Sequence, residues 1–330
     1  MRLPFLVACA ASLAAGLSTP SLAEPSEAAD AYLSEAIAIL RAKHINSLRA
    51  DWDKLEAQAR AQIADAATSA DTHPAIAQLV DALGEKHSYL LTRAMLGQER
   101  AANAGGDGQP ADPPLPTSRV LDGGVGYVQL PMLNMRRGGR EYADRYRVTL
   151  SQDLVRLDAS AQCGWIVDLR GNSGGNMWPM LWGLDPLLGP SPFGYFVTQT
   201  NRVPWARTAD GIMGAREVNP DFPPAYALTH AERPLALLLD GQTASSGEMV
   251  ALALIGRADV RSFGEPSGGY TTANVTERLS DGALLVVTVS KVADRREREA
   301  DGPIVPDENV GAVEAEAAAQ HWLTQRCESA

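Results

Sequence analysis

The chain has few cysteines, and their arrangement disfavours a metal site. Only three of the 330 residues are cysteines, and Cys9 lies within an N-terminal apolar run. Cys163 and Cys327 belong to no CxxC motif and have no Cys/His partner pattern, so no metal site is expected. In an oxidising compartment these two residues could form a disulfide, or Cys163 could remain a buried thiol. The sequence leaves both alternatives open.

Positive charge is also scarce, and so are nucleotide-binding motifs. The chain contains 29 Lys and Arg against 40 Asp and Glu, a formal net charge of −11. An acidic surface argues against nucleic acid and anionic membranes as partners. Neither a GxxxxGK[ST] nor a GxGxxG run occurs, so nucleotide binding is poorly supported and no cofactor is expected. The GxSxG elbow of α/β-hydrolases is absent as well, which disfavours an esterase of that type.

Only the N-terminus carries a long apolar run. Leu3 to Leu17 follow the positive Arg2, and Ser21-Leu22-Ala23 resembles a small-residue cleavage site. We therefore predict a secretory signal peptide over residues 1–23, removed after about Ala23. No later stretch is apolar for long enough to form a transmembrane helix, so stable membrane insertion is not expected. The mature protein is predicted to be soluble and either periplasmic or extracellular.

The pattern of apolar residues changes along the chain. Residues 24–84 carry apolar positions at helical spacing, within 31–40, 52–63 and 75–83, and predict a small N-terminal helical unit. From Gly124 onward, short apolar segments alternate with helical ones, which predicts an α/β core with a largely parallel or mixed sheet. Because 45% of the residues are hydrophobic, the chain can bury a substantial core.

Asp240 to Ile255, with the sequence DGQTASSGEMVALALI, directly follow the apolar segment Pro234 to Leu239. A strand, a tight turn and a helix can present a serine at a helix N-terminus, where backbone N–H groups favour developing negative charge. Such a serine can act as a nucleophile beside its own oxyanion site. The alternative is that Thr243, Ser245 and Ser246 only cap the helix. The local sequence favours capping, because caps are common.

Three motifs in order change this balance. They are DLRGNSGG at 168–175, DGQTASSGE at 240–248 and GEPSGGYTT at 264–272, each after an apolar strand. With GEKHSYL at 84–90 and GPIVPD at 302–307, the set resembles the C-terminal processing, or tail-specific, serine peptidase family. The motifs are weak singly and specific together.

The resemblance covers roughly residues 83 to 310 and implies both a fold and a substrate class. The implied fold is α/β, a crotonase-like ββα core with a mixed sheet and flanking helices, so that residues 85–330 form the catalytic domain. The implied substrate is a peptide or protein. Arg170 and Asn172 resemble the residues that hold the family's glycine turn in shape.

The nucleophile and oxyanion hole can be assigned by the same resemblance. The family's nucleophile is the serine after the alanine of the small-residue motif, which here is Ser245. The oxyanion hole would consist of backbone N–H groups from Ser246 and from the glycine turn, either Gly174 or Gly175.

The general base departs from the commonest family pattern. Tyr270 stands where many members have a lysine, and a phenol with a pKa near 10 is a poor base at pH 7. A branch similar to tricorn protease uses a histidine before the first strand, and His87 matches that position. An imidazole has a suitable pKa. The resemblance implies a carboxylate to orient it, Asp301 as first choice and Glu299 as second, with Ser88 as a possible bridge.

A binding protein on the same scaffold is the alternative function. Interphotoreceptor retinoid-binding proteins resemble this fold and bind apolar ligands. Five aromatic residues could line such a pocket, although aromatics are more often core: Trp178, Trp182, Phe193, Tyr195 and Phe196. The joint presence of Ser245, His87 and the DLRGNSGG turn favours the enzyme. No peptide-binding (PDZ) module is evident, since the gap between Leu91 and Gly124 is short. The sequence does not indicate the oligomeric state.

Overall fold

The computed structural model describes residues 24–102, 113–208, 211–213 and 226–329. The predicted signal peptide over residues 1–23 therefore lies outside the described residues. The helices are α1 (Glu27–Lys43), α2 (Trp52–Gln62), α3 (His73–Ala82), α4 (Arg93–Ala102), α5 (Gly139–Asp158), α6 (Met177–Gly183), α7 (Ser246–Leu254) and α8 (Ala315–Glu328). None of the described helices is both long and apolar enough to cross a membrane.

The strands of the described residues form two sheets, each of six strands. They are β1 (Tyr89–Leu91), β2 (Thr117–Leu121), β3 (Val125–Gln129), β4 (Gly164–Asp168), β5 (Gly194–Val197), β6 (Arg202–Thr208), β7 (Gly211–Met213), β8 (Leu235–Leu239), β9 (Val260–Gly264), β10 (Thr272–Arg278), β11 (Leu284–Asp294) and β12 (Glu308–Asn309). One sheet has the order β12-β9-β8-β4-β3-β2 and the other β1-β11-β5-β6-β7, with β10 also paired to β11.

The sheet that contains β4 and β8 is mixed, as the sequence predicted. Its strands from β12 to β3 run parallel, and only β2 is antiparallel to its neighbour. Both β4 and β8 are buried along their whole length, because helices cover both faces of a parallel sheet. Residues of α5, α6 and α7 belong to the core on one face, and residues of α8 to the core on the other.

The register of this sheet brings two predicted motifs together. Asp168 at the end of β4 lies opposite Leu238 near the end of β8, in parallel pairing. The turns that follow the two strands therefore emerge at the same edge of the sheet. Carboxyl ends of neighbouring parallel strands are the usual position of a site in such sheets.

The N-terminal helices form as the apolar spacing predicts. Ser26 Oγ caps α1 by accepting the N–H of Ala29 at 3.1 Å, and Asp51 caps α2 in the same way. Their apolar faces share one core with Leu285 and Val287 of β11. The sequence missed β1 and α4, because β1 has three residues and no residue of α4 is buried. The domain boundary at residue 84 stays a prediction.

Cys163 and Cys327 form a disulfide with Cα atoms 5.0 Å apart. The bond joins the segment before β4 to the last turn of α8, across 164 positions of sequence. The structure thereby decides between the two alternatives that the sequence left open. The disulfide ties the C-terminal helix to the sheet whose edge carries the two turns.

Candidate active site

Ser245 lies between β8 and α7 as the N-cap residue of α7. Its φ of 51° and ψ of −120° place a residue with a Cβ at positive φ, which costs energy. Every residue of α7 is buried, so the surrounding packing holds the turn in this conformation. A serine on a strained turn between a strand and a helix is also the geometry of a nucleophile elbow.

Glu248, one turn into α7, fixes this conformation. Its side chain is fully buried, and its carboxylate accepts hydrogen bonds from the backbone N–H of Ser245 at 2.9 Å, Gly269 at 2.7 Å and Tyr270 at 2.7 Å, and from the hydroxyl of Ser267. Burial raises the pKa of this carboxyl, and the hydrogen bonds oppose the shift. Sequence reasoning missed Glu248, although the Ser-x-x-Glu spacing of a capping box could have identified it.

The glycine turn after β4 lies against Ser245. A Cβ added at Gly174, whose φ is +111°, would lie 2.8 Å from the Cβ of Ser245. A Cβ at Gly175 would lie 1.9 Å from the carbonyl oxygen of Leu133, so neither position accommodates a side chain. Ser246 Oγ donates to the carbonyl of Gly175 at 2.6 Å. The structure thus brings together the two motifs that were assigned to the nucleophile and the oxyanion hole.

The backbone N–H groups of Gly174 and Gly175 differ in their hydrogen bonding. The N–H of Gly174 donates to Oδ1 of Asn172 at 3.0 Å. Gly175 pairs with Leu133 in an isolated parallel bridge, in which Leu133 N donates to the Gly174 carbonyl and Asn176 N donates to the Leu133 carbonyl. This pattern leaves the N–H of Gly175 without an acceptor among the described residues. The N–H of Ser246 opens α7, where no intrahelical acceptor exists.

Asn172 and Arg170, which DLRGNSGG led us to expect as supports of the glycine turn, each form several hydrogen bonds. Asn172 is fully buried. Its side-chain Nδ2 donates to the carbonyl of Leu130 at 3.0 Å, and its main-chain carbonyl accepts the N–H of Ala244 at 2.9 Å. Arg170 pairs with the buried carboxylate of Asp168 and also donates to the carbonyl of Ala312. Asn172 therefore fixes the glycine turn and the serine turn to each other.

His87 lies in a buried position beside Tyr270. The imidazole Nδ1 is 2.9 Å from the hydroxyl of Thr272, and its ring meets the Tyr270 ring edge-on at 5.2 Å. Burial lowers the pKa of His87; Glu85 and hydrogen bonding to the Thr272 main chain oppose this shift, and Lys86 adds to it. The imidazole is therefore neutral at neutral pH, the form that can accept a proton.

Tyr270 links the histidine to the serine. Its N–H donates to the same Glu248 oxygen, Oε2, that accepts the N–H of Ser245. The ammonium of Lys86 lies 4.4 Å from the centre of the Tyr270 ring and donates to the carbonyl of Gly268 at 3.1 Å. Among the described residues the serine hydroxyl and the imidazole share no direct hydrogen bond. Tyr270 connects the two residues, because its ring contacts His87 and its N–H shares the Glu248 acceptor with Ser245.

Ser88 does not contact the imidazole that it was expected to bridge. Its hydroxyl donates to Oε2 of Glu85 at 2.8 Å and accepts the N–H of Thr288 at 2.9 Å. The other oxygen of Glu85 accepts the backbone N–H of His87. Sequence reasoning missed Glu85 and Thr272. The resemblance assigned no role to Glu85 within GEKHSYL, and Thr272 reaches His87 only through the tertiary fold.

The two carboxylates expected to orient His87 lie elsewhere. Asp301 is exposed and forms no hydrogen bond or ion pair with any described residue. The neighbouring loop is held through Gly302, whose carbonyl accepts the Thr271 hydroxyl at 3.1 Å. Glu299 pairs with Arg202 at 3.0 Å and with Lys291 at 3.5 Å. The structure therefore does not bring either carboxylate to the imidazole.

Four of the five aromatics considered for an apolar pocket pack in or against the main core. Phe193 is fully buried, and Phe196 meets Trp178 and Trp205 edge-on at 6.1 Å and 5.0 Å. Trp182 donates its indole N–H to the carbonyl of Ile212 at 3.2 Å.

Within the described ranges, no group of three or more His, Cys, Asp or Glu side chains is placed to hold a metal ion.

Comparison with known proteins identifies the family and relatives of similar fold. A profile of Peptidase family S41 matches residues 124–310. The nisin-resistance protein of Lactococcus lactis subsp. lactis is 26% identical over 274 residues, 83% of this chain and 80% of that protein. A lipoprotein structure from Streptococcus agalactiae has a TM-score of 0.75 at 23% identity, covering 91% of this chain and 97% of that one. A photosystem II D1 C-terminal processing protease has a TM-score of 0.58 at 15% identity, covering 86% and 93%.

Proposed function

The chain belongs to peptidase family S41, and on that premise we propose that it is an exported serine peptidase that cleaves peptide bonds through an acyl-enzyme at Ser245. Family membership confirms the resemblance drawn from the motifs. The observation that carries the catalytic proposal is the contact between a strained serine at a helix N-terminus and the glycine turn of Gly174. A serine that only caps a helix needs neither positive φ nor an adjacent glycine turn.

His87 is the proposed general base. In the first step Ser245 Oγ attacks the substrate carbonyl carbon while Nε2 of His87 takes its proton. The tetrahedral intermediate collapses when the imidazolium returns that proton to the leaving amine. A water molecule then attacks the acyl-enzyme, again with the imidazole as base, and releases the acid product and free Ser245. The lowered pKa of His87 supports this role because it keeps the base neutral at neutral pH.

The N–H groups of Ser246 and Gly175 are the proposed oxyanion donors. Both lack an acceptor among the described residues, whereas the N–H of Gly174 is already bonded to Asn172. The dipole of α7 adds positive potential at the same point. We therefore propose the N–H of Gly175, and not that of Gly174, as the second donor. The missing side chain of Gly174 instead allows the glycine turn to lie against Ser245.

We propose a periplasmic or extracellular location and a peptide substrate. The predicted leader and the disulfide between Cys163 and Cys327 both suit export to an oxidising compartment. Nisin is the first peptide to test, because a relative that covers most of this chain is named for resistance to it. Cleavage products identified by mass spectrometry would give the bond that is cut.

Labelling with a serine-reactive phosphonate, followed by peptide mapping, tests the nucleophile. We expect the label on Ser245, none after Ser245→Ala, and slower labelling after His87→Ala. Ser173→Ala, an exposed serine in the glycine turn, is the matched control and should label normally. A protein that binds peptide without labelling or cleavage would support the binding-protein alternative instead.

Turnover by variants tests the base. Ser245→Ala and His87→Ala are each expected to lower kcat by roughly 10⁴–10⁶, because members of such a unit act together. Tyr270→Phe should retain much of the activity, since the phenol takes no part in the proposed proton transfer. Near-normal turnover by His87→Ala with an inactive Ser245→Ala would leave the nucleophile in place and show that the base is wrong.

A further inference from the structure

We infer that a neutral hydroxyl, that of Thr272, orients the His87 imidazole, and that Glu85 supplies the negative charge near it. This inference rests on the proposed function and deepens it. A serine–histidine unit usually has a carboxylate on the second imidazole nitrogen. Here that nitrogen, Nδ1, lies 2.9 Å from Thr272 Oγ1, and Asp301 and Glu299 do not reach the ring.

The contact with Thr272 bears on which nitrogen carries the proton. The hydroxyl can either donate to Nδ1 or accept from it. The proposed base needs the lone pair of Nε2 to be free, which places the hydrogen of the neutral ring on Nδ1. In that tautomer Nδ1 donates to Thr272 Oγ1, 2.9 Å away.

Glu85 acts from the other side of the histidine. Its Oε1 accepts the backbone N–H of His87, and its Oε2 accepts the hydroxyl of Ser88, which in turn accepts from Thr288 of β11. The Glu85 side chain is only 11% exposed, so its field is weakly screened by solvent. Its charge favours the imidazolium that forms when Ser245 is deprotonated.

The other titratable groups around His87 are few. Lys86 and Tyr270 lie on its solvent side, where the ammonium stacks on the phenol ring. Behind Glu85 lies His44, which is 1% exposed and has its Nε2 3.9 Å from Glu85 Oε2. Because His44 Nδ1 accepts the N–H of Asn46, the neutral ring carries its hydrogen on Nε2, facing Glu85. Burial lowers the pKa of His44, so Glu85 faces a neutral ring there.

Two substitutions separate orientation from charge. Thr272→Val removes only the hydroxyl and should lower kcat about tenfold with little change in KM, since one hydrogen bond is worth about 0.5–1.5 kcal/mol. Thr272→Ser should restore most of the loss. Thr276→Val, on the exposed part of β10, is the matched control. Glu85→Gln should move the acid limb of the kcat/KM profile to lower pH, because loss of a negative charge destabilises the imidazolium.

The outcomes distinguish this inference from the proposed function. If Ser245→Ala keeps its activity, the proposed function fails. If Ser245→Ala is inactive but Thr272→Val matches Thr276→Val in turnover, the inference is overturned. A tenfold loss by Asp301→Asn, with Thr272→Val unchanged, would likewise overturn it and assign the orienting role to the carboxylate. Should Glu85→Gln fail to fold, the comparison of Thr272→Val with Thr272→Ser still decides the orienting role.

Discussion

Glu248 Oε2 accepts the backbone N–H of Ser245 at 2.9 Å, from within a fully buried position. The same oxygen accepts the N–H of Tyr270 at 2.7 Å, and the ring of Tyr270 meets His87. One buried carboxylate therefore sets the serine turn against the segment that covers the histidine. Its place in the site is structural, since its two oxygens together accept four hydrogen bonds that fix the surrounding turns.

Glu248→Ala is expected to destabilise the protein and to lower kcat. Loss of the acceptor leaves three backbone N–H groups without their partner, and each buried unsatisfied group costs about 1–3 kcal/mol. Urea unfolding and steady-state turnover would measure the two effects. Glu265→Gln, an exposed residue of the neighbouring turn, should change neither. Unaltered stability of Glu248→Ala would contradict the importance of this carboxylate.

Asn172→Ala is expected to reduce kcat more than it raises KM. The side-chain amide donates to the carbonyl of Leu130 and accepts the N–H of Gly174, whereas the bond from Ala244 is to the main-chain carbonyl and remains in the variant. Loss of the two side-chain bonds displaces the proposed oxyanion donor, and one such donor is worth about 10²–10³ in kcat. Ser173→Ala, the exposed neighbour, is the control. Equal kinetics for the two variants would show that the Asn172 side chain does not support the oxyanion hole.

The pH dependence of kcat/KM should follow the titration of His87. Its pKa lies below the ordinary value of 6.5 because the ring is buried. Activity should therefore fall as the pH drops through a midpoint below 6.5, where the imidazole becomes protonated. Lys86→Met should move that midpoint to higher pH, since removal of a nearby positive charge favours the imidazolium. Lys54→Met, on exposed α2, should leave it in place; a midpoint above pH 7 would contradict the assignment.

Reduction of the disulfide should lower the free energy of unfolding by about 2–4 kcal/mol. The bond between Cys163 and Cys327 closes a long loop and ties α8 to the central sheet. Denaturant curves with and without reductant would measure the loss. The double variant Cys163→Ala/Cys327→Ala should be insensitive to reductant. Titration of two free thiols in the denatured, unreduced protein would refute the bond.

The local pattern of residues was sufficient to predict the main elements. Apolar runs bounded by turn residues gave β4 and β8, and helical spacing gave α1, α2 and α3, because these signals depend on neighbours in the chain. The same signals failed for β1 and α4, which are too short or too exposed to produce them. The order of three motifs was also sufficient to predict the family, since each motif is contiguous.

The sequence by itself determined the fold class, the family and the candidacy of Ser245 and His87, because each rests on a short continuous segment. Only the tertiary structure decided what surrounds them. Thr272 reaches His87 across 185 positions of sequence, and Glu248 reaches Tyr270 across 22. The position of Asp301 away from the imidazole and the pairing of the two cysteines were decided in the same way. Such contacts depend on strand register and on the direction in which side chains leave a turn, and no local pattern encodes either.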